Sequence, residues 1–364
     1  MGVLQILLSG ELYKLRKYRI YRGLVKDYIK SFPHLFRVFS IHRKGFVLSD
    51  WEILNLTKKK CKGYLTTKQY NRIHPINGYY SKIIDDKMVM KYLVTGTDLN
   101  DVMPAYYYII DEMGTIRPLM DVEKCCDVAN SEDIYQLLQE KKKLALKMVT
   151  GSIGKGFYKL EFVDGEILVN TNKVTKERFE SFLKQQKNYV ICEYLTPHPY
   201  LAQFWPNTAN TMRYLTGQVN GEWRLLCCFI RFGSKKSGEV ENYNRGGILC
   251  YVNEKGHFSG GYELLENEGK RCSRPITHHP DTNRPLEGDI PCWEAVEKVA
   301  RGVERMLPQT RYLGFDFVIT NENTVKILEI NSLTSLDCIQ IEGSILDTPN
   351  GKWFFSSVMG NSME

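Results

Sequence analysis

The stretch that most constrains this chain is Leu313–Asn331, LGFDFVITNENTVKILEIN. Two apolar runs, Phe315–Thr320 and Val325–Ile330, flank the polar segment Asn321–Thr324, a pattern that predicts an antiparallel hairpin. In a regular ladder Asp316 lies across from Glu329, and Asn331, two residues further on, points from the same face. Two carboxylates and an amide oxygen converging among Phe, Val, Ile and Leu are costly to desolvate without a cation. Oxygen ligands of this kind suit Mg²⁺, which keeps several waters and shares its shell with substrate phosphates. The competing reading of this stretch alone is a strand pair whose polar ends face solvent.

At 364 residues the chain is long enough for two or three lobes with substantial cores, and its 43% apolar and 25% charged residues are those of a globular protein. No apolar run has the length of a transmembrane helix, and Val3–Leu8 is too short and lacks the basic leader of a signal peptide. Ile6 stands where a myristoylation motif takes Ser or Thr. Ten cysteines at irregular spacings, with no C-x-x-C, argue against a zinc site or a disulfide framework and fit reduced thiols in a cytoplasm.

The net charge of +7 is unevenly placed. Glu11–Lys30 carries Lys14, Arg16, Lys17, Arg19, Arg22, Lys26 and Lys30 against Glu11 and Asp27, with Leu12, Leu15, Tyr18, Tyr21, Val25 and Tyr28 at helical spacing. Two readings stand: a peripheral helix resting through 11–30 on anionic lipid, or a surface helix packing its Leu/Tyr face on the body. The second is the commoner arrangement and is the expectation here. Lys58–Lys60 and Lys141–Lys143 lack the interleaved aromatics of a nucleic-acid surface, so no nucleic acid is expected as a partner.

Residues 1–85 read as a basic helical region, and from Asp86 the texture turns to strands and Gly-rich turns. Lys143–Met148 and Phe157–Val163 are strands around the loop Thr150–Gly156, and Asp164-Gly165 turns the chain into Glu166–Asn170. Thr175 caps a helix to Lys187, followed by the strand Tyr189–Leu195. Asn220-Gly221 joins Arg213–Val219 to Trp223–Phe232, and a helix over Trp293–Leu307 leads into the first hairpin. Hairpins alternating with helices predict an α+β chain and argue against a doubly wound parallel sheet. His278-His279 reads as part of a polar surface loop.

GSIGKG, Gly151–Gly156, joins two strands and is therefore neither a Walker loop nor a Rossmann fingerprint. Its glycines, Ser152 and Lys155 can lay backbone N–H groups over a polyphosphate, or form an ordinary hairpin loop. Lys147, at the end of the preceding apolar strand, needs an anionic partner that a nucleotide would supply. Arg213 in NTMR and Arg231 sit at strand ends before ENYNRGG, Glu241–Gly247, and can form an anion-binding wall or surface ion pairs.

Taken in order, these segments resemble the ATP-grasp enzymes, and in particular the ATP-grasp family found beside sugar transferases in surface-polysaccharide gene clusters. The resemblance covers about Asp86 to Gln340 and rests on NTMR, the IRFG stretch Ile230–Gly233, ENYNRGG and the final DFVIT…LEIN. It implies an ATP-grasp fold, two α+β lobes clasping Mg-ATP: a lobe at 86–195, a second at 196–345, and a tail at 346–364. Carried over by position, Lys87 (or Lys91) and Lys147 resemble the lysines holding the α- and β-phosphates. Ser152, Ile153, Gly154, Lys155 and Gly156 resemble the loop closing over them, and Glu193, Tyr194 and Leu195 the hinge that reads adenine. Asp316, Glu329 and Asn331 match the Mg²⁺ ligands, while Arg213, Arg231 and Asn242 match positions facing the γ-phosphate and the acceptor carboxylate. Met148 stands where a proline is common, and no clear carboxylate follows the hinge for the ribose, a stretch occupied by His198 and Gln203.

The resemblance implies ATP-dependent ligation of a small-molecule carboxylate to an amine, through an acyl-phosphate and with ADP as product. The amine is expected on a sugar or cell-surface polysaccharide precursor. A sugar kinase using the same apparatus, with Glu241 as the acid near the acceptor, is the alternative enzyme. A non-catalytic nucleotide or glycan sensor has little need for the two carboxylates.

Overall fold

The computed structural model describes residues 19–30, 35–122, 127–149, 156–267 and 269–360. Among these residues six α-helices come first: α1 (Arg19–Lys30), α2 (Leu35–Arg43), α3 (Leu48–Ile53), α4 (Thr67–Ile73), α5 (Tyr80–Ile84) and α6 (Lys87–Val94). Strands therefore begin later than the sequence texture implies. Asp86 is the reason: its side chain accepts from Met88 and Val89 N and caps α6, so Lys87 opens a helix.

Two seven-stranded antiparallel sheets follow. The first is built from β1 (Tyr106–Ile110), β2 (Ile116–Pro118), β3 (Lys143–Met148), β4 (Tyr158–Val163), β5 (Glu166–Val169), β6 (Asn172–Val174) and β7 (Tyr189–Glu193), in the order β2-β1-β7-β3-β4-β5-β6. Helices α7 (Ser131–Lys141) and α8 (Lys176–Lys184) pack on it through Ile134, Leu138, Phe179 and Leu183. Thr175 caps α8 as the sequence predicts, though the helix stops at Lys184. Asp164 and Gly165, at φ 51° and 82°, make the β4–β5 turn.

After β7 and the short α9 (Pro199–Ala202) come β8 (Met212–Val219), β9 (Glu222–Phe232), β10 (Ile248–Tyr251), β11 (His257–Ser259), β12 (Gly261–Asn267), β13 (Lys270–Ile276), β14 (Glu287–Asp289), α10 (Trp293–Met306), β15 (Tyr312–Ile319) and β16 (Val325–Asn331). The second sheet runs β13-β12-β10-β9-β8-β15-β16, with β11 and β14 forming a separate ribbon. One face of this sheet packs on α10. The other carries Leu215, Phe229 and Tyr312 against Ile41, Phe46, Leu65 and Tyr70 of the N-terminal helices. The segment expected as a tail contains a last helix, α11 (Pro349–Gly360), with Phe354 and Phe355 fully buried in that same layer. The C-terminal aromatics are core residues. No helix among the described residues is long and apolar enough to cross a membrane.

Candidate functional site

The β15–β16 hairpin brings Asp316 opposite Glu329, as expected, but by a different route. From the turn, Ile319 pairs with Val325 and Phe317 with Ile327, one residue out of step with a regular Asp316–Glu329 ladder. A bulge at Leu328 corrects the register. It places Val325, Ile327 and Ile330 all in the core with Phe315 and Phe317, and turns Glu329 onto the face of Asp316. Without it, Glu329 would share the core face of Ile327.

Asp316 is buried and surrounded by cations. Its Oδ1 accepts from Arg213 Nε at 2.7 Å and Arg231 Nη2 at 2.8 Å, and its Oδ2 from Arg213 Nη2 at 2.8 Å. Burial alone would raise its pKa, but the two guanidiniums hold the carboxyl well below the usual range. Burial likewise opposes the charge on Arg213, and Asp316 more than offsets it, leaving the pKa raised. Arg213 spends its fork on Asp316 and its Nη1 on Thr334 Oγ1 at 3.0 Å. It stands behind Asp316 and is not among the residues lining the cleft. Arg231 does line the cleft, bonds Thr211 Oγ1 at 2.6 Å, and keeps a buried Nε with no partner among the described residues.

The lysines are separated just as clearly. Lys87 lines the cleft and pairs with Glu329 at 2.8 Å. Lys91, one turn on, is buried against Asp121 at 2.9 Å and over the Tyr106 ring, and is not among the residues lining the cleft. Asp85 fixes this arrangement: it accepts from Ser332 N and Oγ at 2.8 and 2.9 Å, tying the end of β16 to the start of α6. Lys147 reaches the cleft from β3 beside the Cys192 thiol, and it forms no ion pair with a described carboxylate.

Of the glycine-rich segment, residues 150–155, including Ser152, Ile153, Gly154 and Lys155, lie outside the described residues. Gly156 is described, at φ 68°, where a Cβ would meet Tyr189 Oη at 2.5 Å and Met148 Cγ at 2.7 Å. Glu193, Tyr194 and Leu195 line the cleft where the chain leaves the first sheet for the second. The Glu193 carboxylate accepts from Ala105 N at 3.1 Å. Beyond Leu195 the chain is stapled to the hairpin end, with Asn321 N donating to Thr196 O and His198 N to Ile319 O. The cleft therefore lies between the two sheets.

Asn242 lines the cleft while its side chain accepts from Asn244 N, which shapes the turn before Gly246 and Gly247. A Cβ on Gly247 would meet Glu241 O at 2.3 Å, which is why this segment needs glycine. Sequence reading quoted NTMR without singling out its Thr211, which lines the cleft, and it missed Glu239 in the cleft and Thr334 behind it, which belong to no motif. It also misplaced His279. That residue is buried, stacks on Trp205, and donates from Nε2 to Gly233 O at 2.8 Å while Nδ1 accepts from Asp281 and Thr282 N. Burial lowers its pKa, so it is a neutral prop for the exit of β9. His278 is exposed.

The donor set fits magnesium better than zinc. Among the described residues no group of His, Cys, Asp and Glu has three members able to hold a metal, whereas Asp316, Glu329 and Asn331 offer two carboxylates and an amide. Asn331 Nδ2 points at Glu329 Oε1 (3.2 Å) and Asp316 Oδ2 (3.4 Å), so a cation there would need its amide oxygen turned inward.

The family described as "Sugar-transfer associated ATP-grasp" matches residues 67–348. No curated protein matches the chain. Among solved structures, the ATP-grasp ligase PsnB with its minimal precursor is similar at 11% identity and a TM-score of 0.40, over 78% of this chain and 63% of that one. D-alanyl-alanine synthetase A from Vibrio cholerae gives 11% and 0.44, over 79% and 66%, and the L-amino acid ligase from Bacillus licheniformis 11% and 0.41, over 78% and 48%. The chain thus spans less than two thirds of the length of each.

Proposed function

Because the chain belongs to the sugar-transfer associated ATP-grasp family, we propose that it is an ATP-dependent carboxylate–amine ligase, with the amine carried by a sugar or a cell-surface polysaccharide precursor. The observation that carries this reading is the line of Lys147, Lys87, Glu329, Asp316 and Arg231 along one cleft between two sheets. Lys147 and Lys87 would hold the phosphates of ATP, and Tyr194 and Leu195 would present backbone to the base. Asp316, Glu329 and Asn331 would hold Mg²⁺, which when bound neutralises charge on the phosphates. Arg231, with its unpartnered Nε, would clamp the attacking carboxylate.

In the first step a carboxylate oxygen bonds to the γ-phosphorus and ADP leaves. In the second the amine attacks the acyl carbon, phosphate departs, and the nitrogen loses a proton. Positioning and charge supply the catalysis, and no side-chain nucleophile is needed. Since Arg213 is committed to Asp316, the cations lining the cleft among the described residues are Arg231 and the two lysines. A kinase reading has one observation in its favour, the presence of Glu241 in the cleft, but that carboxylate already accepts from Thr211 Oγ1 at 2.6 Å. The test is the full chain with Mg-ATP, pooled acids and hydroxylamine. Acid-dependent hydroxamate with ADP release supports the ligase, whereas a phosphorylated sugar without hydroxamate overturns it.

A further inference from the structure

Helix α1 faces the body with the side that holds its acid. Asp27 is buried, accepts from Leu48 N at 2.7 Å, and bonds His42 Nε2 of α2 at 3.0 Å, while Tyr28 meets the His42 ring edge-on. That anchoring turns the apolar stripe outward: Tyr21, Val25 and Ile29, at i, i+4 and i+8, are 60%, 59% and 75% exposed. Arg22 and Lys26 are exposed beside them. Helix α2 repeats the arrangement. Val38 and Ile41 are buried, whereas Phe36 is 92% and Phe39 53% exposed, with Arg43 over the Phe39 ring. Of the Leu/Tyr face expected to pack on the body, Leu12, Leu15 and Tyr18 lie outside the described residues, whereas Tyr21 and Val25 are exposed and Tyr28 packs on His42.

Scattered apolar residues on a surface need no explanation, but two adjacent helices that each present apolar side chains beside cations do. Among the described residues of α1 and α2 the one acid is Asp27, engaged as above, and Glu52 of α3 is paired with Arg37 at 2.9 Å, so the exposed charge these two helices carry is positive. An apolar stripe flanked by Arg and Lys matches the boundary of an anionic bilayer, where side chains enter the acyl region and cations meet lipid phosphates. We propose that α1 and α2 form a docking surface for an anionic membrane, holding the protein peripherally through Tyr21, Val25, Ile29, Phe36 and Phe39. This inference does not depend on the ligase reading.

The test uses the full chain, sedimented with vesicles of phosphatidylcholine alone or mixed with phosphatidylglycerol. Binding to the mixed vesicles is expected, weakening as salt screens the charges. Ile29→Glu with Phe36→Glu should reduce that binding by about tenfold or more with an unchanged melting temperature. Arg22→Ala or Lys26→Ala should each reduce it roughly fivefold. A chain that stays in the supernatant with mixed vesicles at low salt overturns the proposal, as would equal binding by the double variant or equal binding to neutral vesicles. Dimers in light scattering that dissociate in the double variant would assign the face to a second copy and likewise overturn it.

Discussion

At the scale of single residues, the two acids of the hairpin are neighbours with different duties. Asp316 is buried between two arginines, whereas Glu329 borders the cleft and pairs with Lys87. Their amide variants should therefore fail differently. Asp316→Asn leaves Arg213 charged and buried without its partner, a loss of about 3–5 kcal/mol, read as a lower denaturant midpoint. Glu329→Gln should cost less than that, because Glu329 is itself partly exposed and the amide oxygen can still accept from Lys87. If Glu329 shares a cation with Asp316, as proposed, the variant's turnover should nevertheless fall about a hundredfold or more. Equal stability losses in the two variants would show that this division of roles is wrong. The sequence revealed the pair through its setting among Phe, Val and Ile. It could not reveal that Arg213 is spent on Asp316, because that depends on Thr334 and on a strand pairing more than a hundred residues away in sequence.

At the scale of elements, most strands and turns were legible because local chemistry specifies them. Asn220-Gly221 turns the chain at φ 52° and 86°, and Thr175 caps its helix. The bulge at Leu328 was not legible, since a regular ladder counted from the ends gives the same Asp316–Glu329 pair. Only the core spacing of Val325, Ile327 and Ile330, two and then three residues apart, carries a trace of it. The junction at the end of the glycine-rich segment makes a prediction. Gly156→Val places a side chain against Tyr189 and Met148 at a positive φ, so it should cost about 1–3 kcal/mol and weaken ATP binding, measured by melting and calorimetry. A second prediction belongs to the α3–α4 contact. Asp50 accepts from Thr67 Oγ1 at 2.5 Å, and burial, with Asp337 beside it, pushes its pKa up to about 7 from 3.8. A carboxyl raised on folding binds its proton more tightly in the native state, so its contribution is present below pH 3.8 and declines as pH rises to about 7. Asp50→Asn should flatten the melting temperature over that window and raise it at pH 8. An unchanged slope would remove Asp50 from the account.

At the scale of the molecule, the sheets contribute complementary halves of one site. The first sheet brings Lys147 and Glu193 to the cleft, with Tyr194 and Leu195 just beyond it, and the second brings Asp316, Glu329 and Arg231. This division explains what could be read in advance. Each motif resembles its family locally, whereas the α11 packing, the neutral His279 prop and the outward stripe of α1 arise from long-range contacts that no local pattern records. A ligand bridging both halves must stabilise the whole chain, not one lobe. Mg-ATP at a hundred times its Kd should therefore add about 2.7 kcal/mol to the free energy of unfolding and raise the melting temperature by several degrees. With EDTA, ATP alone should give a smaller shift, because Lys87 and Lys147 remain but the two carboxylates repel the phosphates without a cation between them. Glu329→Gln should erase the difference between the two conditions, and Lys147→Ala should diminish both shifts. A wild-type shift that is the same with Mg²⁺ and with EDTA would mean that Asp316, Glu329 and Asn331 do not hold a metal, and that the acids of this hairpin serve only to position Arg213, Arg231 and Lys87.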